Sequence, residues 1–120
     1  EDMTRGYFNN TDNPEVFDYR IGNALDIIPT ITENIDMVFI DADKENYATY
    51  YDMVIDKMPV GGIIIADNVL WSGKVLDAQQ LDKDHETKAL NAFNKKINDD
   101  SRVENVLMPV RDGLMVIRKK

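Results

Sequence analysis

Two apolar runs each stop at an acidic residue, with about one helix of sequence between them. Met37-Val38-Phe39-Ile40 ends at Asp41-Ala42-Asp43-Lys44, and Ile63-Ile64-Ile65-Ala66 ends at Asp67-Asn68. Strands joined by a right-handed helical crossover lie parallel and near one another. Asp41 and Asp67 therefore emerge on one edge of the sheet, the edge at which open α/β folds bind ligands. Neighbouring strands are only about 4.8 Å apart, so two carboxylates, the amide oxygen of Asn68 and the amine of Lys44 converge on one spot. Hard oxygens beside an amine suit a divalent cation with a base next to it. The plainer use of either carboxylate is to cap the helix that follows its strand, and on the residues alone both uses stand.

The elements that hold these side chains follow from period and punctuation. Asp2 to Asn10 suits a short helix, closed by the turn-rich Asn9-Asn10-Thr11-Asp12-Asn13-Pro14. Val16 to Ile21 alternates apolar and polar residues and predicts a strand ended by Gly22, after which Asn23 caps a short helix over Ala24 to Ile28 that stops at Pro29. Tyr47, Tyr50, Tyr51, Val54, Ile55 and Met58 recur at helical spacing before Pro59-Val60-Gly61-Gly62 breaks the pattern. Val69 to Asp84 reads as loop. Asp84-His85-Glu86-Thr87 opens a helix to about Asn98, with Ala89, Leu90, Phe93 and Ile97 on one stripe. Val103 to Pro109 and Leu114 to Ile117 are strands with too little chain between them for a crossover, so they form an antiparallel hairpin. The expected class is α/β, ordered β-α-β-α-β-α-β-β, a mostly parallel sheet with a reversed last strand.

Composition narrows the partners. The chain has 120 residues, 22 acidic and 14 basic, for a formal charge of -8, which argues against a nucleic-acid backbone or an anionic membrane as partner. The basic end, Arg118-Lys119-Lys120, reads as a solvated tail. Without cysteine the chemistry cannot rest on a thiol, a disulfide or Cys-ligated zinc, and the composition fits a reducing cytoplasm. No apolar run approaches the roughly 18 residues of a membrane span. His85, the only histidine, sits in a charged helix start and reads as solvated.

Four ordered blocks carry a resemblance: Asp36 to Lys44 with Glu45-Asn46-Tyr47; Gly61 to Ala66 with Asp67-Asn68-Val69-Leu70-Trp71-Ser72-Gly73; Phe93-Asn94; and Pro109-Val110-Arg111-Asp112-Gly113-Leu114. Together they resemble the caffeoyl-CoA O-methyltransferase family, metal-dependent class I methyltransferases using S-adenosylmethionine and related to catechol O-methyltransferases. The resemblance runs from about Arg20 to Lys119. It implies the C-terminal part of a Rossmann-like class I sheet, mostly parallel with a reversed last strand. Residues 1–120 are then expected to form a partial methyltransferase domain, starting after the second strand. The glycine-rich turn that cradles the cofactor's methionine, and the acidic residue that holds its ribose, would be absent.

The same resemblance implies transfer of a methyl group from S-adenosylmethionine to a hydroxyl of a catechol-like or other small aromatic acceptor, with Mg²⁺ (or Mn²⁺ or Ca²⁺) assisting. Asp41, Asp67 and Asn68 would hold the ion and Lys44 would take the acceptor's proton. Gly22, Asn23, Ala24 and Asp41 would contact the cofactor, with Asn23 standing where the family more often has Asp. Trp71 would clamp a planar substrate, while Tyr47 either packs as the first core residue of its helix or lines the pocket. Arg111 replaces a residue that is usually small, and a positive φ there would strain it. Because the absent strands would leave Met37 to Ile40 with an unpaired apolar edge, a homodimer is expected. A reading of a different class is a receiver-like, Mg²⁺-binding signalling domain. It needs an acidic pair after its first strand and a Lys-Pro pair after its fifth, and the chain has neither in that order.

Overall fold

Backbone pairing follows the apolar runs. In the computed structural model, which describes residues 1–120, a four-stranded sheet is built from β1 (Met37–Ile40), β2 (Ile63–Asp67), β3 (Val103–Met108) and β4 (Leu114–Lys119) in the order β1-β2-β4-β3. β1 and β2 are parallel, with Ile40 opposite Ala66. β3 and β4 form the expected antiparallel hairpin, and β4 inserts between β2 and β3, antiparallel to both. A doubly wound receiver-like sheet has no reversed strand in that position.

Strand parity and helical period together make the core. Ile40, Ala66 and Met115 share one register row, Ile64 and Ile117 share another, and all five are buried. Against this face lie α3 (Tyr47–Ile55), which packs on β1, and α5 (His85–Asp99), which packs on β3 and on α3. Leu90, Phe93 and Ile97 line the buried stripe of α5. Truncating Phe93 to Ala at such a site costs about 3–5 kcal/mol. Asp84 starts α5 by accepting from the Glu86 N–H at 3.2 Å and the Thr87 hydroxyl at 2.7 Å. Lys119 ends α3 by donating to the carbonyls of Ile55 at 2.8 Å and Met58 at 2.7 Å, a favourable place for a cation. Arg118, paired to Glu104 at 2.6 Å, also lies in β4, so of the basic end only Lys120 extends past the sheet, while Arg118 and Lys120 stay exposed to solvent. The opposite sheet face carries Phe39, Ile65, Val116 and Val106 in one row, with Phe39 58% and Val106 57% exposed.

Two readings change. Val69 to Asp84 is not all loop: short turns within Trp71–Leu76, broken by a left-handed kink at Ser72 and Gly73, lead into α4 (Ala78–Lys83), capped by Asp77, whose carboxylate accepts from the Gln79 N–H at 2.8 Å. Val16 to Ile21 is not a strand. Residues Glu1–Thr30 form a separate compact unit from Ile31–Lys120, containing α1 (Asp2–Asn9), a 3-10 turn at Pro14–Val16 and α2 (Ala24–Ile27). A strand needs a neighbour for its N–H and C=O groups, and no strand pairs with this segment. Its alternating aromatics pack locally instead, Phe17 stacking on Phe8 at 4.6 Å and Tyr19 meeting it edge-on at 5.5 Å. No helix is long and apolar enough to cross a membrane.

Candidate active site

The register that pairs Ile40 with Ala66 places the residues following β1 and the end of β2 at one sheet edge. After β1 the chain turns at once into a 3-10 turn, Lys44–Asn46, and then into α3. That turn folds Lys44 back under the edge, leaving it 6% exposed. Its ammonium lies 3.6 Å from the Asp41 carboxylate and donates to the Asn68 side-chain oxygen at 3.4 Å and to the Tyr47 hydroxyl. The amine also stands 4.5 Å from the centre of the Tyr47 ring and 5.7 Å from that of Trp71. Asp41, Lys44, Asn68 and Trp71 are therefore brought together as expected. Asp67 adjoins them, its carboxylate accepting from the Asn68 N–H at 2.6 Å.

Neither carboxylate serves as a helix cap. The turn after β1 has Asp43 at its N-cap and the segment after β2 has Leu70, neither with a side-chain capping bond. Asp43 is tied instead to Tyr50, which donates to it at 2.6 Å, and to the Asn46 amide. The Tyr50 bond is the main reason the Asp43 carboxyl titrates below its usual range. Burial, reinforced by that carboxylate, pushes the Tyr50 phenol up to about 12. Asp43 thus locks the Lys44 turn to α3.

The loop after β2 holds Asn68, Trp71 and Ser72 in the left-handed region, at φ 61°, 50° and 54°. Asn adopts it readily, whereas other non-glycine residues pay about 1–2 kcal/mol each. Such strain persists only where surroundings enforce it, and the hairpin turn supplies the enforcement. Val69 N–H donates to the Gly113 carbonyl at 3.2 Å, Leu70 N–H to the Asp112 carbonyl at 3.0 Å, and Ser72 N–H to the Asp112 carboxylate at 2.6 Å. From α5, the Asn94 amide donates to the Val69 carbonyl at 2.9 Å. Arg111 is itself left-handed at φ 52°, so the strain conditional on a positive φ there is present. The bracing roles of Asp112, Gly113 and Asn94 were missed by sequence reasoning. Their only signal was that Asp112-Gly113 and Phe93-Asn94 belong to the resembling blocks.

Tyr47 requires a correction. It is fully buried, with its hydroxyl taken up by Lys44 and the Asp67 carbonyl, so it has no surface to offer a substrate and lies beneath the site. Gly22, Asn23 and Ala24 belong to the first unit, where the Asn23 side chain accepts from the Leu25 N–H at 3.0 Å and caps α2. The donors at the strand ends, two carboxylates and an amide carbonyl, are all hard oxygen, and those of Asp41 and Asn68 already gather around one cationic nitrogen. That donor set fits an oxygen-seeking divalent ion.

The profile of the O-methyltransferase family matches residues 1–120. Tricin synthase 2 of Oryza sativa subsp. japonica is 36% identical over 113 residues, covering 85% of this chain and 38% of that protein. Caffeoyl-CoA O-methyltransferase 5 of Nicotiana tabacum is 33% identical over 112 residues, covering 85% and 47%. The chain thus spans less than half the length of these curated relatives. Among solved structures, the O-methyltransferase from Bacillus cereus in complex with SAH superimposes with a TM-score of 0.85 at 26% identity, covering 99% of this chain and 57% of that one. The O-methyltransferase TomG from Streptomyces achromogenes, in complex with SAM, gives 0.88 at 23% identity, covering 99% and 56%, a likeness of fold alone.

Proposed function

The chain belongs to the O-methyltransferase family, and on that premise we propose that its strand-end cluster is the centre of a methyl transfer from S-adenosylmethionine to a hydroxyl of a catechol-like or other small aromatic acceptor. One observation carries this reading: a buried lysine amine held among the oxygens of Asp41, Asn68 and Tyr47 at the edge where two parallel strands end. Asp41, Asp67 and Asn68 hold a divalent ion, Mg²⁺ before Mn²⁺ or Ca²⁺. When bound, such an ion favours the ionised form of the acceptor hydroxyl. Lys44, acting as the neutral amine after its ammonium has released a proton to solvent, takes the proton from that hydroxyl. The Trp71 ring, 5.7 Å from the Lys44 amine, forms a wall against which a planar acceptor presents its hydroxyl to the amine. Fixing the acceptor oxygen in line with the methyl carbon supplies much of the rate.

Asp41 contacts the cofactor in this reading. The Bacillus cereus relative solved in complex with SAH supports S-adenosylmethionine as the cofactor. The named relatives, a caffeoyl-CoA O-methyltransferase and a tricin synthase, support a small aromatic acceptor. The exposed row of Phe39 and Val106 supports pairing of two copies, and the cysteine-free composition suits a cytoplasmic setting. The test is Lys44→Met in the full protein. Turnover falls by about 100-fold or more, as loss of a general base requires, while cofactor affinity stays near wild type. Wild-type turnover in Lys44→Met would remove the proposed base.

A further inference from the structure

Tyr47 opens α3 three residues after Lys44, and none of its surface is exposed. Its hydroxyl still has three polar neighbours. It donates to the Asp67 carbonyl at 3.0 Å and, at longer range, to the Ile40 carbonyl at 3.3 Å, and it accepts from the Lys44 amine. A phenol has a single proton to give. The two carbonyls can only accept, and they sit at the ends of β1 and β2, so the sheet itself commits the proton to them. What remains for Lys44 is a lone pair. The amine can therefore meet Tyr47 only as a donor.

We propose that Tyr47 is a positioning residue: its hydroxyl, bridging the two strand ends, holds one N–H of Lys44 and so turns the remaining positions of that nitrogen toward Asp41, Asn68 and the open edge. The mount is rigid. The Tyr47 ring meets Phe93 edge-on at 5.6 Å, and the Lys44 amine lies 4.5 Å from the ring centre. Phenylalanine would keep the ring and its packing while leaving the amine only its longer contacts to Asp41 and Asn68, at 3.6 and 3.4 Å, to fix its direction. The proposal rests on the reading of Lys44 as the base that receives the acceptor's proton, because only then does the direction in which the amine faces matter to turnover.

The test is a double-mutant cycle in the full protein, read by steady-state methyl transfer and by spectra of lysines labelled with ¹⁵N at Nζ. Tyr47→Phe is expected to lower kcat on the order of 10- to 100-fold, the scale of a misdirected proton acceptor, with KM for acceptor and cofactor within about twofold. In a Lys44→Met background the same change should alter the residual turnover by less than about twofold, since the two residues act as one unit. Independently of turnover, the Lys44 Nζ signal, slow to exchange and shifted from those of solvated lysines in the wild type, should merge with them in Tyr47→Phe. A Tyr47→Phe loss of equal size with and without Lys44 would make Tyr47 merely structural and overturn the proposal, as would an Nζ signal that the substitution leaves unchanged. Wild-type turnover in Lys44→Met would instead remove the base reading, a result distinguishable from either.

Discussion

Replacing Gly113 and Gly61 separately by Ala isolates how far the hairpin turn supports the loop that carries Asn68 and Trp71. The two glycines share almost the same backbone, φ +84° and φ +90°, so each substitution carries a similar conformational cost, about 1–2 kcal/mol for a side chain in the left-handed region. They differ in space. A Cβ on Gly61 meets nothing within 4 Å, whereas one on Gly113 falls 2.6 Å from Leu70 Cγ, 3.0 Å from its Cδ1 and 3.3 Å from its Cβ. Two of those atoms lie close to the main chain of Leu70, whose N–H is held by the Asp112 carbonyl at 3.0 Å. Rotating the tip of the side chain therefore cannot clear the contact. Overpacking of this kind adds about 1–3 kcal/mol, for a total of about 2–5 kcal/mol in Gly113→Ala. At about 3–5 °C per kcal/mol for a chain of this size, Gly61→Ala should melt about 3–10 °C below wild type and Gly113→Ala about 6–25 °C below. Leu70 precedes Trp71 and follows Asn68 by two residues, so Gly113→Ala should also cost turnover, up to about 100-fold for a displacement near 1 Å. Gly61 lies at the other end of β2 and should leave turnover unchanged. Thermal unfolding by circular dichroism and initial rates of methyl transfer, below both transitions, report the two effects. If both variants melt at the same temperature and turn over alike, the hairpin does not brace the site.

Asp112→Ala removes the acceptor of the Ser72 N–H and should cost about 1–3 kcal/mol together with part of the turnover; urea unfolding and initial rates check this, and wild-type values in both would show that the bond does not matter. Asp100 ties the start of β3 to α3, accepting from Arg102 at 2.8 Å and from the Tyr51 hydroxyl at 2.8 Å, and the Arg102 bond is the largest cause of its lowered pKa. A carboxylate depressed in the folded state contributes stability that is fully present above its unfolded value, about 3.9, and is lost as pH falls through the folded one. Asp100→Asn should therefore be less stable by about 1.5–3 kcal/mol near pH 7, and the gap should shrink steadily as the solution is acidified below that value. Urea unfolding of both proteins at neutral and acidic pH measures it, and a constant gap would refute the role given to the ionised carboxylate.

The parts of the site legible in the residues were those that local rules determine. Strand ends are marked by where apolar runs stop, so the meeting of Asp41 with the Asp67-Asn68 pair followed from a crossover and a pleat. The hairpin followed from the shortness of Val110 to Gly113, whereas the positive φ of Arg111 was open in the residues and is settled by the backbone. The strand expected at Val16 to Ile21 failed because alternation records only which faces differ, while a strand also requires a neighbour to bond with. Phe17 and Tyr19 found Phe8 instead. Tyr47 was ambiguous because helical period places a residue on the inner face without saying whether its polar tip meets solvent or a buried carbonyl. The brace from Asp112 to Ser72 spans 40 residues, and no local pattern predicts a contact at that separation. Asp77, read within a loop, acts as a cap that starts a short helix.

The role given to the strand-end oxygens is tested most directly by one measurement: transfer of an isotopically labelled methyl group from S-adenosylmethionine to a catechol by the full protein, followed with Mg²⁺ present, with excess chelator, and with Asp67→Ala. The expected result is labelled O-methyl product with Mg²⁺, none above background in chelator, recovery on adding Mg²⁺ back, and none in Asp67→Ala at any Mg²⁺ concentration. Full transfer in excess chelator, or by Asp67→Ala, would contradict it.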